Sequence, residues 1–254
     1  MPLPPAKPSN GKPRDSLFQQ VTDRLATAIV SGGLAAGELI PNEGDLHGEI
    51  NVSRTAYREA LKFLSAKGLI EAKPRSGTRV APRDHWNLLD PDVLHWFFTA
   101  GADDRFVHDL YELRLFLEPN TAKLAAQRRT SAQLVAIETA LIGMESHPPF
   151  SEENILADLD YHQAVIAAAQ NPALACLKSV VSETVRWAVG QQVAHGPRPY
   201  MTALADHRRL YEAIAAEDGE RASAVMTMIV IDSLHHTLSA VHRSRQGLAP
   251  AAGG

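Results

Sequence analysis

The first apolar pattern lies between residues 15 and 31 and has the spacing of an amphipathic helix. Its apolar positions are Leu17, Val21, Leu25, Ile29 and Val30. Two glycines at 32 and 33 predict its end. A second short helix is predicted at 42–50, after Pro41. A short turn is predicted after it at Asn51 and Val52. The pattern therefore predicts a helix-turn-helix whose last helix begins at Ser53.

The helix after Ser53 separates polar from apolar residues. Ser53 can cap it, and its apolar face carries Tyr57, Leu61 and Leu64. Short donors and arginines near the start of such a helix suit phosphates and base edges in a DNA groove. The candidate DNA-binding residues on this helix are Ser53, Arg54, Thr55 and Arg58.

A β-hairpin is predicted directly after this helix. Residues 69–73 and 78–80 have strand character, and the turn residues at 74–77 lie between them. We expect this hairpin to act as a wing beside the DNA-reading helix. Arg75 at its tip and Gly77 are the remaining candidate DNA-binding residues.

The rest of the chain has helical periodicity. Asp90 is placed to cap a short aromatic helix that starts at Pro91, and we expect this linker to pack between two domains. No run of β-branched residues interrupts the later segments, so the pattern predicts an all-helical bundle. Its helices are expected near residues 103–128, 131–146, 152–170, 172–194, 200–216 and 218–244.

Length and charge support two domains with different roles. A chain of 254 residues is long enough for two separate cores. Lys plus Arg outnumber Asp plus Glu by 12 to 8 up to Arg83, whereas the remainder has 13 against 21. The basic part contains the predicted DNA-reading helix, as phosphate neutralisation requires. The expected organisation is a disordered arm at 1–13, a winged helix-turn-helix at 14–82, a linker helix at 83–102, a helical domain at 103–245 and a disordered tail at 246–254.

Cysteine content and hydropathy exclude several classes of protein. The single cysteine, Cys176, excludes an internal disulfide and a zinc-finger framework. The chain has no signal-peptide pattern and no apolar run of 18 residues. We therefore expect a cytoplasmic protein with no membrane partner.

The N-terminal part resembles the GntR family of bacterial winged-helix regulators. The resemblance covers about 65 residues. It is carried by Gly37-Glu38-Leu39-Ile40-Pro41, Leu46, Val52-Ser53-Arg54-Thr55, Arg58-Glu59-Ala60-Leu61, Leu64, Gly68-Leu69-Ile70, Gly77 and Val80. Gly44 departs from the family, whose members often carry a longer polar side chain there. The resemblance implies binding of double-stranded operator DNA.

The helical part resembles the FCD effector-binding domain of the FadR branch of that family. The matching residues include Glu112, Arg114, Leu117-Glu118, Asp158, Asp160-Tyr161-His162, Asn171-Pro172, His207 and Leu210. The resemblance implies a divalent metal, held by an Asp and a His four residues apart and by histidines of the last two helices. Asp158, His162 and His207 match three of these ligands, but the fourth falls on Ile229, which cannot bind metal. The remaining three ligands can hold Zn²⁺, Mn²⁺, Ni²⁺ or Fe²⁺, of which Zn²⁺ is favoured, with open coordination positions left for water or an effector.

A small carboxylate is the effector class that these residues suggest. Arg114 lies on an apolar helix face and needs an anionic partner, either Glu118 one turn on or a ligand, and the resemblance favours the ligand. Arg186 and His236 are further candidate effector-binding residues. An arginine beside a metal with open positions suits a sugar acid or another hydroxy acid.

Together these patterns predict a mainly α protein, with an N-terminal winged helix-turn-helix and a C-terminal all-α bundle of the FCD type. The expected function is a homodimeric repressor of a sugar-acid or hydroxy-acid catabolic operon, released from a palindromic operator by the acid. Two alternatives remain open: a repressor gated by a divalent metal alone, and a helical-bundle metalloenzyme. We expect no enzymatic activity, because the bundle offers no placed general base beyond the metal ligands.

Overall fold

The computed structural model describes residues 17–46, 53–74, 76–192 and 198–246. It is mainly helical, with a single two-stranded sheet among these residues. The chain divides between Ala102 and Asp103 into two compact units, which are described separately below.

The first unit contains the predicted helix-turn-helix. Helix α1 buries Val21, Leu25 and Ile29, and α3 packs on it, with the Phe18 and Phe63 rings 5.6 Å apart between their centres. The turn predicted at Asn51 and Val52 lies outside the described residues. The helices are α1 (Leu17–Val30), α2 (Glu43–Leu46) and α3 (Arg54–Ala66).

The predicted wing is an antiparallel hairpin. Strands β1 (Ile70–Lys73) and β2 (Gly77–Val80) pair with Ile70 opposite Val80. Gly77 has a φ of 77°, a left-handed conformation that suits glycine at this turn. Arg75, predicted at the tip, lies outside the described residues.

The aromatic linker forms helix α4 (Pro91–Ala100). Asp90 caps it as predicted, because its side chain accepts a hydrogen bond from the backbone N–H of Asp92. Trp96 is buried and donates its indole N–H to Asp23 of α1 at 2.8 Å. Helix α4 thus packs on α1 within the first unit.

The second unit is a bundle of seven helices over its described residues. These are α5 (Asp104–Arg128), α6 (Ser131–Ser146), α7 (Glu152–Ala168), α8 (Pro172–Ala175), α9 (Lys178–Gln192), α10 (Arg198–Ala215) and α11 (Gly219–Arg245). The single helix expected at 172–194 is wrong. It divides at Cys176 and Leu177, where the Leu177 N–H bonds to Leu174 O, three residues back, and so ends α8 in a tighter turn.

Helices α5 and α11 run alongside each other in this bundle. By length and composition, Gly219–Arg243 of α11 is apolar enough to span a membrane. Core helices of globular bundles pass the same test, and Ala222, Met226 and Val230 of α11 are buried here. Packing within the bundle thus accounts for part of the apolar character of α11, since a third of this stretch is buried.

Candidate functional site

Helix α3 presents its predicted polar residues to solvent. Ser53 is its N-cap, and its hydroxyl accepts a hydrogen bond from the Ala56 N–H at 3.2 Å. Arg54, Thr55 and Arg58 are exposed, whereas Ala60 on the opposite side is fully buried. The helix therefore has a solvent face of donors and an anchored apolar face, as a groove-reading helix requires.

The cationic side chains on this exposed face differ in whether they already form an ion pair. Arg54 donates from Nε to Glu43 Oε1 of α2 at 2.7 Å, and Lys62 pairs with Glu59. Arg58 has no ion-pair partner within the part of the chain that the structure describes. Tyr57 anchors α3 from the other side, because its hydroxyl donates to Pro41 O at 2.7 Å.

A second set of polar residues is buried in the helical bundle. Asp158 and His162 lie one turn apart on α7, and His207 of α10 completes the group. The His162 and His207 Nε2 atoms are 3.5 Å apart. Asp158 Oδ1 lies 3.6 Å from His162 Nε2 and 3.4 Å from His207 Nε2. The structure thus brings together the three predicted metal ligands.

The spacing of these three atoms fits a tetrahedral metal site. Ligands about 2.0–2.1 Å from Zn²⁺ in tetrahedral geometry are about 3.4 Å from one another. Asp158 Oδ1 is buried and has no hydrogen-bond partner among the described residues. Leaving such an oxygen unsatisfied is costly, and a cation between the three atoms would satisfy it.

Each imidazole of the cluster has an acceptor oxygen near its Nδ1 atom. His207 Nδ1 lies 2.6 Å from Ala203 O, and a carbonyl can only accept, so Nδ1 carries the proton. His162 Nδ1 lies 3.4 Å from Glu118 Oε2. A proton on His207 Nδ1 leaves its Nε2 lone pair free for a metal ion, and a proton on His162 Nδ1, facing Glu118, would leave the His162 Nε2 lone pair free in the same way.

The pKa values of His207 and Asp158 show how the two side chains affect each other's charge. Burial lowers the pKa of His207, but the contact and charge of Asp158 outweigh this effect and raise it. Burial raises the pKa of Asp158, but His207, His162 and Arg114 together lower it. Asp158 is therefore held as a carboxylate, and a metal ion would replace the proton that it favours on His207.

Arg114 lies beside this cluster on α5 and is almost fully buried. Glu118 supplies an anionic partner, since Arg114 Nε donates to its Oε1 and Nη2 lies 3.4 Å from its Oε2. Burial would raise the pKa of Glu118, but the charge of Arg114 and the contact with His162 lower it to about 2. Arg114 Nη1 has no hydrogen-bond partner among the described residues. One donor of the guanidinium is thus left for another acceptor.

A cavity connects the cluster with Arg114. Its apolar lining includes Met144, Phe150, Val185 and Val189. Its polar lining consists of Arg114, Asp158, His162, Thr202, Asp206, His207, Asp232, Ser233 and His236. A cavity lined by both apolar and polar residues beside a candidate cation site suits a small, oxygen-rich ligand.

Of the two remaining candidate effector residues, one lines the cavity and the other does not. His236 lines the cavity, whereas Arg186 is exposed and is not among its lining residues. Val185 and Ala188 turn the buried face of α9 inward, so the adjacent Arg186 points away. Ile229, at the expected fourth ligand position, also lines the cavity.

Sequence reasoning missed the polar stripe on α11 and Asp206 beside His207. Ile229, Asp232, Ser233 and His236 follow the i, i+3, i+4, i+7 spacing of one helix face, and all four line the cavity. Counting this spacing forward from Ile229, the expected fourth ligand position, would have identified Asp232 and Ser233 in the sequence.

Both parts of the chain match known protein families. Residues 17–80 match the bacterial regulatory proteins of the gntR family, and residues 109–232 match the FCD domain. The chain belongs to the GntR family of transcriptional regulators with an FCD domain. This DNA-binding regulator therefore has the predicted mainly α fold, and the matched relatives are named as regulators rather than as enzymes.

The sequences of individual relatives align with most of this regulator. The galactonate operon transcriptional repressor of Escherichia coli K12 is 39% identical over 214 residues, covering 82% of this chain and 93% of its own length. LutR of Bacillus subtilis is 33% identical, covering 78% of this chain and 90% of its own length.

Solved structures share the fold. Lar, described as controlling the Listeria monocytogenes agr system, has a TM-score of 0.66 at 17% identity, covering 90% of this chain and 99% of its own. McbR/YncC of E. coli has a TM-score of 0.52 at 18% identity, covering 91% and 99% of the two chains.

Proposed function

We propose that this GntR-family regulator is a cytoplasmic repressor of an operon for sugar-acid or hydroxy-acid catabolism, released from its operator by the acid. Two buried polar atoms carry the proposal. Arg114 Nη1 and Asp158 Oδ1 have no hydrogen-bond partner among the described residues, and both residues line one cavity. A carboxylate can satisfy the first atom, and a divalent metal the second.

The metal would be held by Asp158, His162 and His207. Zn²⁺ is favoured because the ligand atoms have tetrahedral spacing and include two imidazoles. When bound, the metal supplies positive charge and open coordination positions that a ligand oxygen can take. Ile229 contributes an apolar wall where a fourth protein ligand would otherwise close the site.

The acid would bind through its carboxylate to Arg114. The guanidinium lies with its carbon 4.8 Å from the centre of the Tyr111 ring, which fixes its plane. Thr202, Asp232, Ser233 and His236 line the same cavity and can bond to hydroxyl groups of the acid. A long acyl chain would leave these polar groups unsatisfied, so a polyhydroxy acid is the better occupant.

The DNA-binding half of the proposal depends on the exposed face of α3. Arg54 and Arg58 would contact bases or phosphates, with Ser53 and Thr55 fixing the position of the helix on the backbone. The wing, with Gly77 and Arg75, would approach the minor groove. A homodimer formed through the helical domains would place two such helices on a palindromic operator, and acid binding would change their spacing.

The acid-sensing role of Arg114 can be separated from DNA binding. DNA from the promoter region of the protein's own operon is titrated by fluorescence anisotropy, with D-galactonate and Zn²⁺ added afterwards. Arg114→Gln should bind this DNA as tightly as the unchanged protein and should fail to be released by the acid. Arg105→Gln, at an exposed position of the same helix, should respond normally. Normal release in the Arg114 variant removes Arg114 from the acid site.

A regulator gated by metal alone is the competing possibility. The buried cluster of Asp158, His162 and His207 supports metal binding in either case. Separate titrations decide between the two. Release of DNA by Zn²⁺ without any acid supports metal gating. Release that requires both Zn²⁺ and the acid supports acid sensing, and the unpartnered Nη1 of Arg114 is then explained.

A further inference from the structure

The carboxylate of Glu118 links the arginine to the imidazole of the buried cluster. Its Oε1 accepts a hydrogen bond from Arg114 Nε. Its Oε2 lies 3.4 Å from Arg114 Nη2 and also 3.4 Å from His162 Nδ1. The carboxylate is almost fully buried, so water does not compete for these contacts. One oxygen is therefore shared between the two sides of the cavity.

The two contacts of this oxygen are both long. A hydrogen bond between a charged nitrogen and a carboxylate is usually about 2.7–2.9 Å, so Oε2 makes a full-strength bond to neither partner. A small rotation of the Glu118 carboxylate toward His162 would strengthen the bond to the imidazole and lengthen the contact with Arg114. The reverse rotation would release His162 Nδ1.

We propose that Glu118 is a positioning residue that couples acid binding at Arg114 to metal retention at His162. When the acid carboxylate satisfies Arg114, Glu118 turns to the His162 Nδ1–H and fixes the imidazole for the metal. Arg114 stays in place during this exchange because the Tyr111 ring supports its plane, and the Tyr111 hydroxyl bonds to Ser233 of α11 at 2.8 Å. The coupling rests on the proposed acid-sensing function, whereas the positioning of His162 does not.

Affinity for Zn²⁺ alone tests the positioning role. It is measured by competition with a chromophoric chelator, and circular dichroism checks that each variant is folded. Removing either partner of this buried pair alone leaves the other charge without its ion-pair partner, so the comparison is made in the Arg114→Gln background, in which Glu118 keeps its contact with His162 and each variant is accepted only if it is folded. Adding Glu118→Gln to that background should weaken Zn²⁺ binding by about 10–100-fold, the loss typical when a carboxylate that orients a metal-bound histidine is removed.

A control variant tests whether removing any carboxylate of the cavity lining weakens Zn²⁺ binding as much. Asp232 also lines the cavity as a carboxylate, but no hydrogen bond or ion pair among the described residues joins it to either imidazole. Adding Asp232→Asn to the Arg114→Gln background should weaken Zn²⁺ binding only a few-fold, because the group is partly in solvent. Equal losses for the two double variants overturn the positioning role, and so does an unchanged affinity in the Glu118 variant.

The coupling is tested with D-galactonate as the acid. In the unchanged protein, the acid should tighten Zn²⁺ binding, and Zn²⁺ should tighten acid binding by the same factor. Glu118→Gln, where it folds, should reduce that factor, and an unaltered factor overturns the coupling. If the acid does not affect Zn²⁺ binding in the unchanged protein, the coupling fails, while release of operator DNA by the acid still decides the effector class and the Zn²⁺ comparison still decides the positioning role.

Discussion

Replacing Lys67 should destabilise the DNA-binding unit more than replacing any exposed lysine of the same helix. Lys67 lies at the C-terminal end of α3, and its ammonium is 2.7 Å from Asp90 Oδ2 and 2.7 Å from Asp92 Oδ2 at the start of α4. Its side chain is only 15% exposed, and Nζ lies 4.7 Å from the centre of the Phe63 ring. Burial lowers the pKa of Lys67, but the bonds to Asp90 and Asp92 raise it above its usual value.

The expected cost of Lys67→Met follows from this environment. Exposed ion pairs contribute about 0–1 kcal/mol, whereas breaking a fully buried pair costs about 3–5 kcal/mol. A pair that is mostly buried lies between these limits, and the lost cation–π contact adds about 0.5–1 kcal/mol. We therefore expect a loss of about 2–3 kcal/mol. Methionine retains the apolar stem of the side chain, so packing changes little.

The measurement is urea unfolding in a Trp187→Phe background, in which the remaining tryptophans, Trp86 and Trp96, both lie in the first unit. Lys62→Met is the matched control, because Lys62 is 75% exposed and pairs with Glu59 on the same helix. It should cost less than about 0.5 kcal/mol. Equal effects of the two substitutions, or no effect of Lys67→Met, would refute the reasoning that Lys67 holds α4 to α3.

Three further predictions concern DNA, metal and pH. Arg58→Ala should weaken operator binding by about 1–3 kcal/mol in a fluorescence anisotropy titration, and unchanged binding would reject Arg58 as a base-reading residue. Ile229→His should supply a fourth ligand and tighten Zn²⁺ binding at least about tenfold, equivalent to about 1.4 kcal/mol; an unchanged chelator competition would show that this position does not reach the metal. Asp104 has a lowered pKa because His242 and Arg245 bond to its carboxylate. Since a lowered carboxyl pKa stabilises the fold above the usual pKa, Asp104→Asn should cost at most about 1 kcal/mol at neutral pH. In thermal unfolding, that difference should vanish as the pH falls through the lowered pKa, and a difference that stays constant with pH would contradict the assignment.

Local patterns were sufficient to predict most of the helices and the hairpin. The Ser53 and Asp90 caps are visible in the sequence, and both caps are formed in the structure. The division of the helix expected at 172–194 was not predicted, because Cys176 and Leu177 are compatible with a continuous helix. The break depends on how the turn after α8 closes, which residue type alone does not indicate.

The candidate metal cluster was predictable because two ligands share one helical face. Asp158 and His162 have the i, i+4 spacing that local geometry makes visible, whereas His207 required the family resemblance. The contact between Glu118 and His162 joins residues 44 positions apart, so no local pattern could reveal it. Arg186 illustrates the opposite problem, because an arginine among apolar residues can still point outward.

The pair between Arg54 and Glu43 affects how this protein exchanges ions with DNA. Each free cationic side chain that neutralises a phosphate displaces a condensed counterion, and the salt dependence of binding steepens accordingly. Arg54 is already neutralised by a carboxylate 2.7 Å away, so docking it on DNA exchanges one anion for another. A regulator built this way should lose affinity more gradually with increasing ionic strength than its number of arginines suggests, and Glu43→Gln should restore the steeper dependence.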